Sequence, residues 1–337
     1  MQKNLERRSD RTLERKLSVA PMMEYTDRHG RYFLRLLTKR ALLYTEMTTT
    51  GAILRGDTAR FLDYDPSEQP LALQLGGSDS TMLAAAAKCG ARWGYREINL
   101  NIGCPSNKVT AGHFGASLMA KPRLVGDCVK AMSDTISQPI TVKTRIGIDN
   151  FDSEDQLDEF VEIVAKAGCN TFIVHARKAC LNGLNPKQNR EIPPLDYDRV
   201  YRLKQSFPDL CIVINGGIRS LEDMRLHLRN CDGVMVGRAA YDDSYMLALV
   251  DQSLFGNQER VKTRHDVLTA FLPYVEAQLV MGTKLHHMTR HILGLVSGCP
   301  GAKAWRRQIS IESHRIGAGL EVIENAVRDM PEDLLSA

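Results

Sequence analysis

Short apolar, β-branched runs alternate along the chain with longer segments whose apolar positions recur every three to four residues. The runs are LSVAP (17–21), ALLYTEM (41–47), PLALQL (70–75), REINLNI (96–102), PITVKTR (139–145), TFIVHAR (171–177), CIVINGG (211–217) and GVMVGR (233–238). Helical period marks 81–89, 124–136, 154–167 and 221–228. Strands joined by helix-length connections pair in parallel through right-handed crossovers. Two architectures satisfy that pattern, a doubly wound open sheet and a closed barrel. The count of eight runs, with polar residues of functional type at the end of nearly every one, favours an α/β protein built as a (β/α)8 TIM barrel. From about Ser253 the strands cease, and 264–281, 283–297 and 301–327 read as helices of a C-terminal helical domain. The expected organisation is a polar N-terminal arm (1–16), a catalytic barrel (17–252) and a helical domain (253–337).

Composition narrows the class further. A length of 337 residues exceeds the ~250 of a typical barrel, which leaves room for that appendage. Hydrophobic residues at 43% and charged residues at 25% are ordinary for a globular protein. No apolar run approaches the ~20 residues of a membrane span, so no membrane partner is expected. The first 16 residues carry six basic and three acidic side chains and no apolar stretch, so they read as a solvated arm rather than a signal peptide. None of the eight cysteines forms a C-x-x-C pair. The expectation is free thiols in the cytoplasm, with neither a zinc ribbon nor an iron–sulfur cluster. His286, His287 and His291 lack a nearby acidic or cysteine partner in the sequence, so no metal is expected there either. The net charge of +4 permits a nucleic-acid partner without requiring one, and 251–337 hold ten basic and ten acidic residues.

In such a barrel the chemistry sits at the C-terminal ends of the strands. Those positions hold Pro21, Met22 and Met23 after the first run, Gln74 in the third, and Asn99, Asn101 and Cys104 at the fourth. Lys143 and Arg145 end the fifth, His175 and Arg177 the sixth, Asn215, Gly216 and Gly217 the seventh, and Gly237 and Arg238 the eighth. Glycines after strands seven and eight let the backbone approach an anion closely, and Arg238 adds charge, as a phosphate-binding barrel needs. There is no P-loop and no complete G-x-G-x-x-G, so a mononucleotide cofactor fits better than a dinucleotide on a Rossmann fold. Lys143 and His175 end apolar strands, where charge is tolerated only at a polar mouth. A cation there would stabilise an anionic reduced flavin. Gln74 offers donors and an acceptor to a pyrimidine edge. Cys104 stands apart from the other seven cysteines because its loop, NLNIGCPSNKV, lies on the catalytic face and is followed by a glycine-bearing stretch, AGHFGASLM, with the character of a lid. A thiol of ordinary pKa, ~8.5, is protonated at neutral pH and can act as a general acid.

The motifs SVAPMMEYTDRH, LLYTEM, ALQLGG, EINLNIGCPS, FGASLM, VKTRIGID, HARKA, NREIPPLDY, INGGI, DGVMVGR and GAKAWRR make the chain resemble the tRNA-dihydrouridine synthase family from about Ser18 to Val327. NREIPPLDY and the tryptophan-containing basic tail segment make it most similar to the family's A-type branch. Departures are MMEYTDR in place of a pattern nearer MLDWTDR, and the longer polar N-terminus. The resemblance implies FMN as cofactor, with NADPH (or NADH) as its reductant, and uridines 20 and 20a of the tRNA D-loop as substrate. Hydride would pass from flavin N5 to uracil C6 and a proton from Cys104 to C5. It implies FMN contacts from Pro21, Met22, Met23, Gln74, Lys143, His175, Asn215, Gly216, Gly217, Gly237 and Arg238, with Asn101 bonded to the uracil. The target base would have to leave its stack.

RNA contacts are expected from Arg145 and from Arg177, Lys178, Lys187 and Arg190, a stretch with no acid between 177 and 190. Lys303, Arg306 and Arg307 flank Trp305, a pattern that suits a phosphate clamp with a stacking platform. Two other readings stay open at this point: a small-molecule pyrimidine oxidoreductase on the same flavin barrel, and a tRNA-binding protein acting by contact alone. No protein partner is implied.

Overall fold

In the computed structural model, residues 13–106, 109 and 112–331 are described. Eight parallel strands close into a barrel in chain order: β1 (Leu17–Val19), β2 (Leu42–Thr49), β3 (Leu71–Gly76), β4 (Glu97–Asn101), β5 (Ile140–Arg145), β6 (Thr171–His175), β7 (Cys211–Asn215) and β8 (Gly233–Val236). β1 closes the ring against β8, with Ser18 opposite Met235. All eight expected strands are present. They could be read from sequence because both faces are covered, the outer by helices and the inner by the barrel's own filling.

The two faces differ in chemistry. The outer faces join the helices in one large apolar core that includes Val19, Leu43, Leu73, Leu100, Val142, Phe172 and Ile214. Inside the barrel the apolar cluster is small: Ala20, Leu42, Tyr44, Ala72, Ile173, Val213 and Met235, with Leu13 and Met22 packed against it. The remaining interior is polar. Along β4, Ile98 and Leu100 belong to the outer core, while Glu97, Asn99 and Asn101 alternate with them and bond to Gln74 on β3 and Thr141 on β5.

Residues 1–12 of the expected arm lie outside the described residues, as do 332–337 of the expected helical domain. Residues 13–16 correct the reading of a solvated arm. Leu13 packs on the barrel's inner cluster, and Arg15 is buried in an ion pair with Glu97.

Beyond β8 the chain continues through helices Ala239–Asp242, Val250–Phe255, Arg264–Val280, Leu285–Thr289, Ala302–Glu312 and Glu321–Arg328. The single helix expected over 301–327 is two, separated by a turn in which Gly317 takes φ +80°. The helix expected over 283–297 is likewise short, and turns replace it after Ile292. There Gly294 passes so close to the Tyr241 carbonyl that a Cβ would lie 2.1 Å from it. These helices pack on Arg28–Leu37, the helix after β1. Tyr274 stacks on Tyr32 at 3.8 Å, and Phe271 meets Phe33 edge-on at 5.4 Å.

Candidate active site

At the C-terminal mouth the side chain of Asn101 sets the start of the loop that follows β4. Its Oδ1 accepts hydrogen bonds from the backbone N–H groups of Gly103 (3.1 Å) and Cys104 (2.9 Å). The carbonyl of Cys104 accepts in turn from the N–H of Ala116 (3.0 Å), in the turn Gly115–Ala120. Gly115 makes this contact possible: its φ is +73°, and a Cβ would lie 2.6 Å from the Cys104 carbonyl oxygen. The Cys104 backbone is thus held on both sides, with its thiol partly exposed. Within the glycine-bearing stretch expected to act as a lid, Ala111 lies outside the described residues.

Three cations lie within electrostatic reach of this thiol. Lys143, Arg145 and Arg190 all interact electrostatically with Cys104. Lys143 donates to Asn215 Oδ1 at 3.1 Å, and among the described residues no carboxylate pairs with it. Burial, reinforced by the neighbouring Arg145 guanidinium, pulls its ammonium down to about 7. Asn215 Nδ2 donates to the Met235 carbonyl at 2.7 Å, which fixes which of its amide atoms faces Lys143. Burial first, then Arg145 and Lys143, hold His175 well below the usual histidine range, so its ring is neutral. Its Nδ1 is buried without a hydrogen-bond partner. A half-buried lysine with no carboxylate partner beside an unpaired imidazole nitrogen is costly for the protein alone. The pair suits an electron-rich, polar ring system with anionic character.

The glycines divide into two kinds. At Gly217 (φ +71°) a Cβ would meet the Tyr197 hydroxyl at 2.8 Å, and at Gly216 (φ +116°) the His175 ring at 3.3 Å. Packing from the protein side therefore demands both. Gly237 is different, since a Cβ there would meet nothing nearer than Met22 Sδ at 3.9 Å, which leaves room for a ligand beside the backbone. Arg238 follows it and pairs with Glu191 at 2.7 Å. Pro21 and Met22 are partly covered, while Met23 is 61% exposed. Gln74 is buried, and both its amide atoms are engaged, Nε2 with Asn99 and Oε1 with Asn101.

Two expected RNA contacts, Trp305 and Arg145, are corrected by their burial. Trp305 is 1% exposed and its indole N–H donates to the Ile292 carbonyl (3.3 Å), so its ring faces are core surface and offer no stacking platform. Lys303, Arg306 and Arg307 lie exposed on the same helix. Arg145 is 4% exposed. Its guanidinium donates to the carbonyls of Gly103, Lys178 and Asn189, and so ties the Cys104 loop to the excursion after β6. Lys178 pairs with Asp152 at 2.8 Å, and Arg177 donates to the Pro193 carbonyl. Lys187 and Arg190 remain exposed.

Sequence reasoning missed Asn189, Glu191 and Glu97. Asn189 is fully buried, accepts from Cys180 N (2.7 Å) and donates to Cys180 O (2.9 Å), which closes the 180–189 loop. Its position inside the NREIPPLDY motif was the available signal.

A sequence model described as dihydrouridine synthase (Dus) matches residues 18–330. The chain belongs to the dihydrouridine synthase family. It is 57% identical over 320 residues to a protein of Vibrio parahaemolyticus named tRNA-dihydrouridine(20/20a) synthase, covering 95% of this chain and 98% of the relative. Proteins of the same name from Shewanella oneidensis (56% over 326 residues; 97% of each chain) and Escherichia coli K12 (55% over 314 residues; 93% and 91%) are similarly close. Among solved structures, a 2-naphthoyl-CoA reductase complex superposes with a TM-score of 0.52 at 10% identity, over 73% of this chain and 51% of that one. That likeness concerns the fold alone. Among the described residues, no helix of this dihydrouridine synthase is long and apolar enough to cross a membrane, and no group of three or more His, Cys, Asp or Glu could hold a metal.

Proposed function

We propose that the protein is a cytoplasmic, FMN-dependent enzyme that reduces uridine to 5,6-dihydrouridine in the D-loop of tRNA, at positions 20 and 20a. The substrate and positions follow the names of the relatives. The observation that carries the reading is Cys104: a thiol whose backbone is clamped by Asn101 and Ala116, on the barrel mouth, within the electrostatic reach of Lys143, Arg145 and Arg190. Lys143, His175, Asn215, Gly237 and Arg238 would hold FMN, with Pro21, Met22, Met23, Gln74, Gly216 and Gly217 around them. When bound and reduced by NADPH, FMN supplies the hydride that C6 of the uracil receives.

The chain's own residues do the rest. Cys104 Sγ gives its proton to C5 of the ring and is restored from solvent. Asn101 positions the uracil by donating a hydrogen bond to a ring carbonyl. Lys143, once an anionic ring faces it, gains the counter-charge that the protein alone does not provide. Arg238 exchanges Glu191 for a phosphate. Lys187, Arg190, Lys303, Arg306 and Arg307 are the exposed cations offered to the RNA backbone.

The test begins with an absorption spectrum of the purified protein, with the cofactor released by heat and identified by mass. Unmodified tRNA is then incubated with the protein and NADPH, and dihydrouridine is mapped by mass spectrometry. FMN in stoichiometric amount and product at 20 and 20a are expected. Turnover of free uracil or dihydroorotate with none of tRNA would overturn the reading. So would a Cys104→Ala variant that converts tRNA at the wild-type rate.

A further inference from the structure

A single hydrogen-bonded chain runs down the barrel axis from the Cys104 loop to its closed end. The N–H of Cys104 donates to Asn101 Oδ1 (2.9 Å), and Asn101 Nδ2 donates to Gln74 Oε1 (2.9 Å). Gln74 Nε2 then donates to Asn99 Oδ1 (2.8 Å), and Asn99 Nδ2 to Thr141 Oγ1 (2.8 Å). Finally Thr141 Oγ1 donates to Glu97 Oε1 (2.6 Å). Glu97 is fully buried, accepts also from Tyr44, and is paired with Arg15. Every side chain in the chain is buried, Asn101 the least so at 8%.

The direction of this chain is fixed at both ends. Backbone N–H groups at the mouth can only donate, and at the other end the Glu97 carboxylate accepts from Thr141, Tyr44 and Arg15. Between them stand one hydroxyl and three carboxamides, groups that could each point either way. With the ends set, all must point downward. Asn101 then has both Oδ1 lone pairs engaged by Gly103 and Cys104, and one Nδ2 hydrogen engaged by Gln74. One N–H remains. The mouth therefore presents a pyrimidine with a donor only, which matches a ring carbonyl and rejects a ring N–H or exocyclic amine at that point.

We propose that Glu97 and Thr141 are positioning residues: through Asn99 and Gln74 they fix the orientation of the Asn101 carboxamide, and with it both the seat of Cys104 and the donor offered to the uracil. The uracil contact rests on the function proposed above; the seat of Cys104 does not. Arg15 belongs to the same device from the other end. It comes from the segment before β1 and donates to the terminal carboxylate.

Thr141→Val removes the hydroxyl with little change of shape and severs the chain at its last link, between Asn99 and Glu97, while Thr141→Ser keeps the link. Two measurements on wild type and both variants test the proposal. The first is alkylation of Cys104 by iodoacetamide in the flavin-free protein, followed by peptide mass spectrometry. It should be several-fold faster in Thr141→Val and return to the wild-type rate in Thr141→Ser. The second is single-turnover reoxidation of the NADPH-reduced holoenzyme by unmodified tRNA. Thr141→Val should slow it about tenfold, the effect of one misplaced hydrogen bond, with the tRNA concentration dependence unchanged and Ser restoring the rate. Equal Cys104 alkylation in all three proteins would overturn the proposal. So would slow reoxidation that Ser fails to rescue and that accompanies loss of flavin, because that pattern means packing alone. If Cys104 alkylation responds as expected but wild-type holoenzyme is not reoxidised by tRNA, the proposed function fails and the control of Cys104 stands.

Discussion

Replacing Lys143 with Met should make the flavin-free protein more stable and its holoenzyme less well formed. Lys143 titrates at about 7 in the folded protein against 10.5 for an ordinary lysine. An amine so depressed costs the folded state on the order of 4 kcal/mol at neutral pH by linkage. The side chain is partly exposed, and water relieves part of that, so about 2–3 kcal/mol is the working figure. The sign follows from proton counting. Below about pH 7 the amine is protonated in both states and the full penalty applies. As pH rises from 7 toward 10.5, the folded amine is neutral while the unfolded one still binds its proton, and stability climbs with pH. Urea unfolding of flavin-free wild type and Lys143→Met, at several pH values between 6 and 10, measures the difference. Met should win by most at pH 6–7, and its advantage should fade toward pH 10. With FMN present the order should reverse, because Met provides no counter-charge. An advantage that does not change with pH, or a variant less stable than wild type at pH 7, would refute the account of Lys143 as a half-buried cation without a counter-charge.

Other expectations concern different parts of the molecule. Cys104→Ala should retain FMN and its reduction by NADPH but lose about 10²–10⁴-fold in dihydrouridine formation, measured by single-turnover kinetics with tRNA. Trp305→Ala should destabilise the protein by roughly 3–5 kcal/mol, as removal of a buried indole does, with unfolding curves rather than RNA binding carrying the effect. By contrast, Lys303→Ala and Arg306→Ala should leave stability unchanged and weaken tRNA binding. Each should make the slope of log K against log salt shallower by about 0.7–0.9 for every phosphate it had neutralised. Arg15→Met should cost about 3–5 kcal/mol, because it leaves the buried Glu97 carboxylate without its ion-pair partner. Urea unfolding at pH 7 reads it.

The elements that were legible from sequence are those whose burial is uniform. All eight strands could be placed because both their faces are covered, and the helices Ser80–Arg92, Pro122–Ser133 and Glu154–Lys166 because one face is. The tail was misread where glycine punctuation was passed over. Gly317 and Gly319 interrupt what looks like one amphipathic run, and the helix ends before them. Trp305 was misassigned although its period was visible. Ala302, Trp305 and Ile309 stand three and four residues apart and form the buried stripe, while Lys303, Arg306 and Arg307 take the other face. The indole and the basic residues that flank it in sequence therefore stand on opposite faces of the helix.

The roles of Arg15, Arg145 and Glu97 lay beyond the sequence for a different reason. Each is set by partners far along the chain: Arg145 by Gly103, Lys178 and Asn189, and Arg15 by Glu97 across 82 positions. Yet the alternation on β4 carried a hint. In a barrel whose interior is filled by branched apolar side chains, Glu97, Asn99 and Asn101 would be an expensive inner face. They are tolerable only as one saturated network, since a gap at any link leaves a buried amide unpaired. A strand that places three polar groups in succession toward the axis therefore implies matching partners on its neighbours, here Gln74 on β3 and Thr141 on β5, in register with Asn99 on both sides. The cysteine that follows such a strand inherits a rigid seat. This ties the polar filling of the barrel to the chemistry at its mouth, and it is why the substitution at Thr141, remote from solvent, should be felt at Cys104.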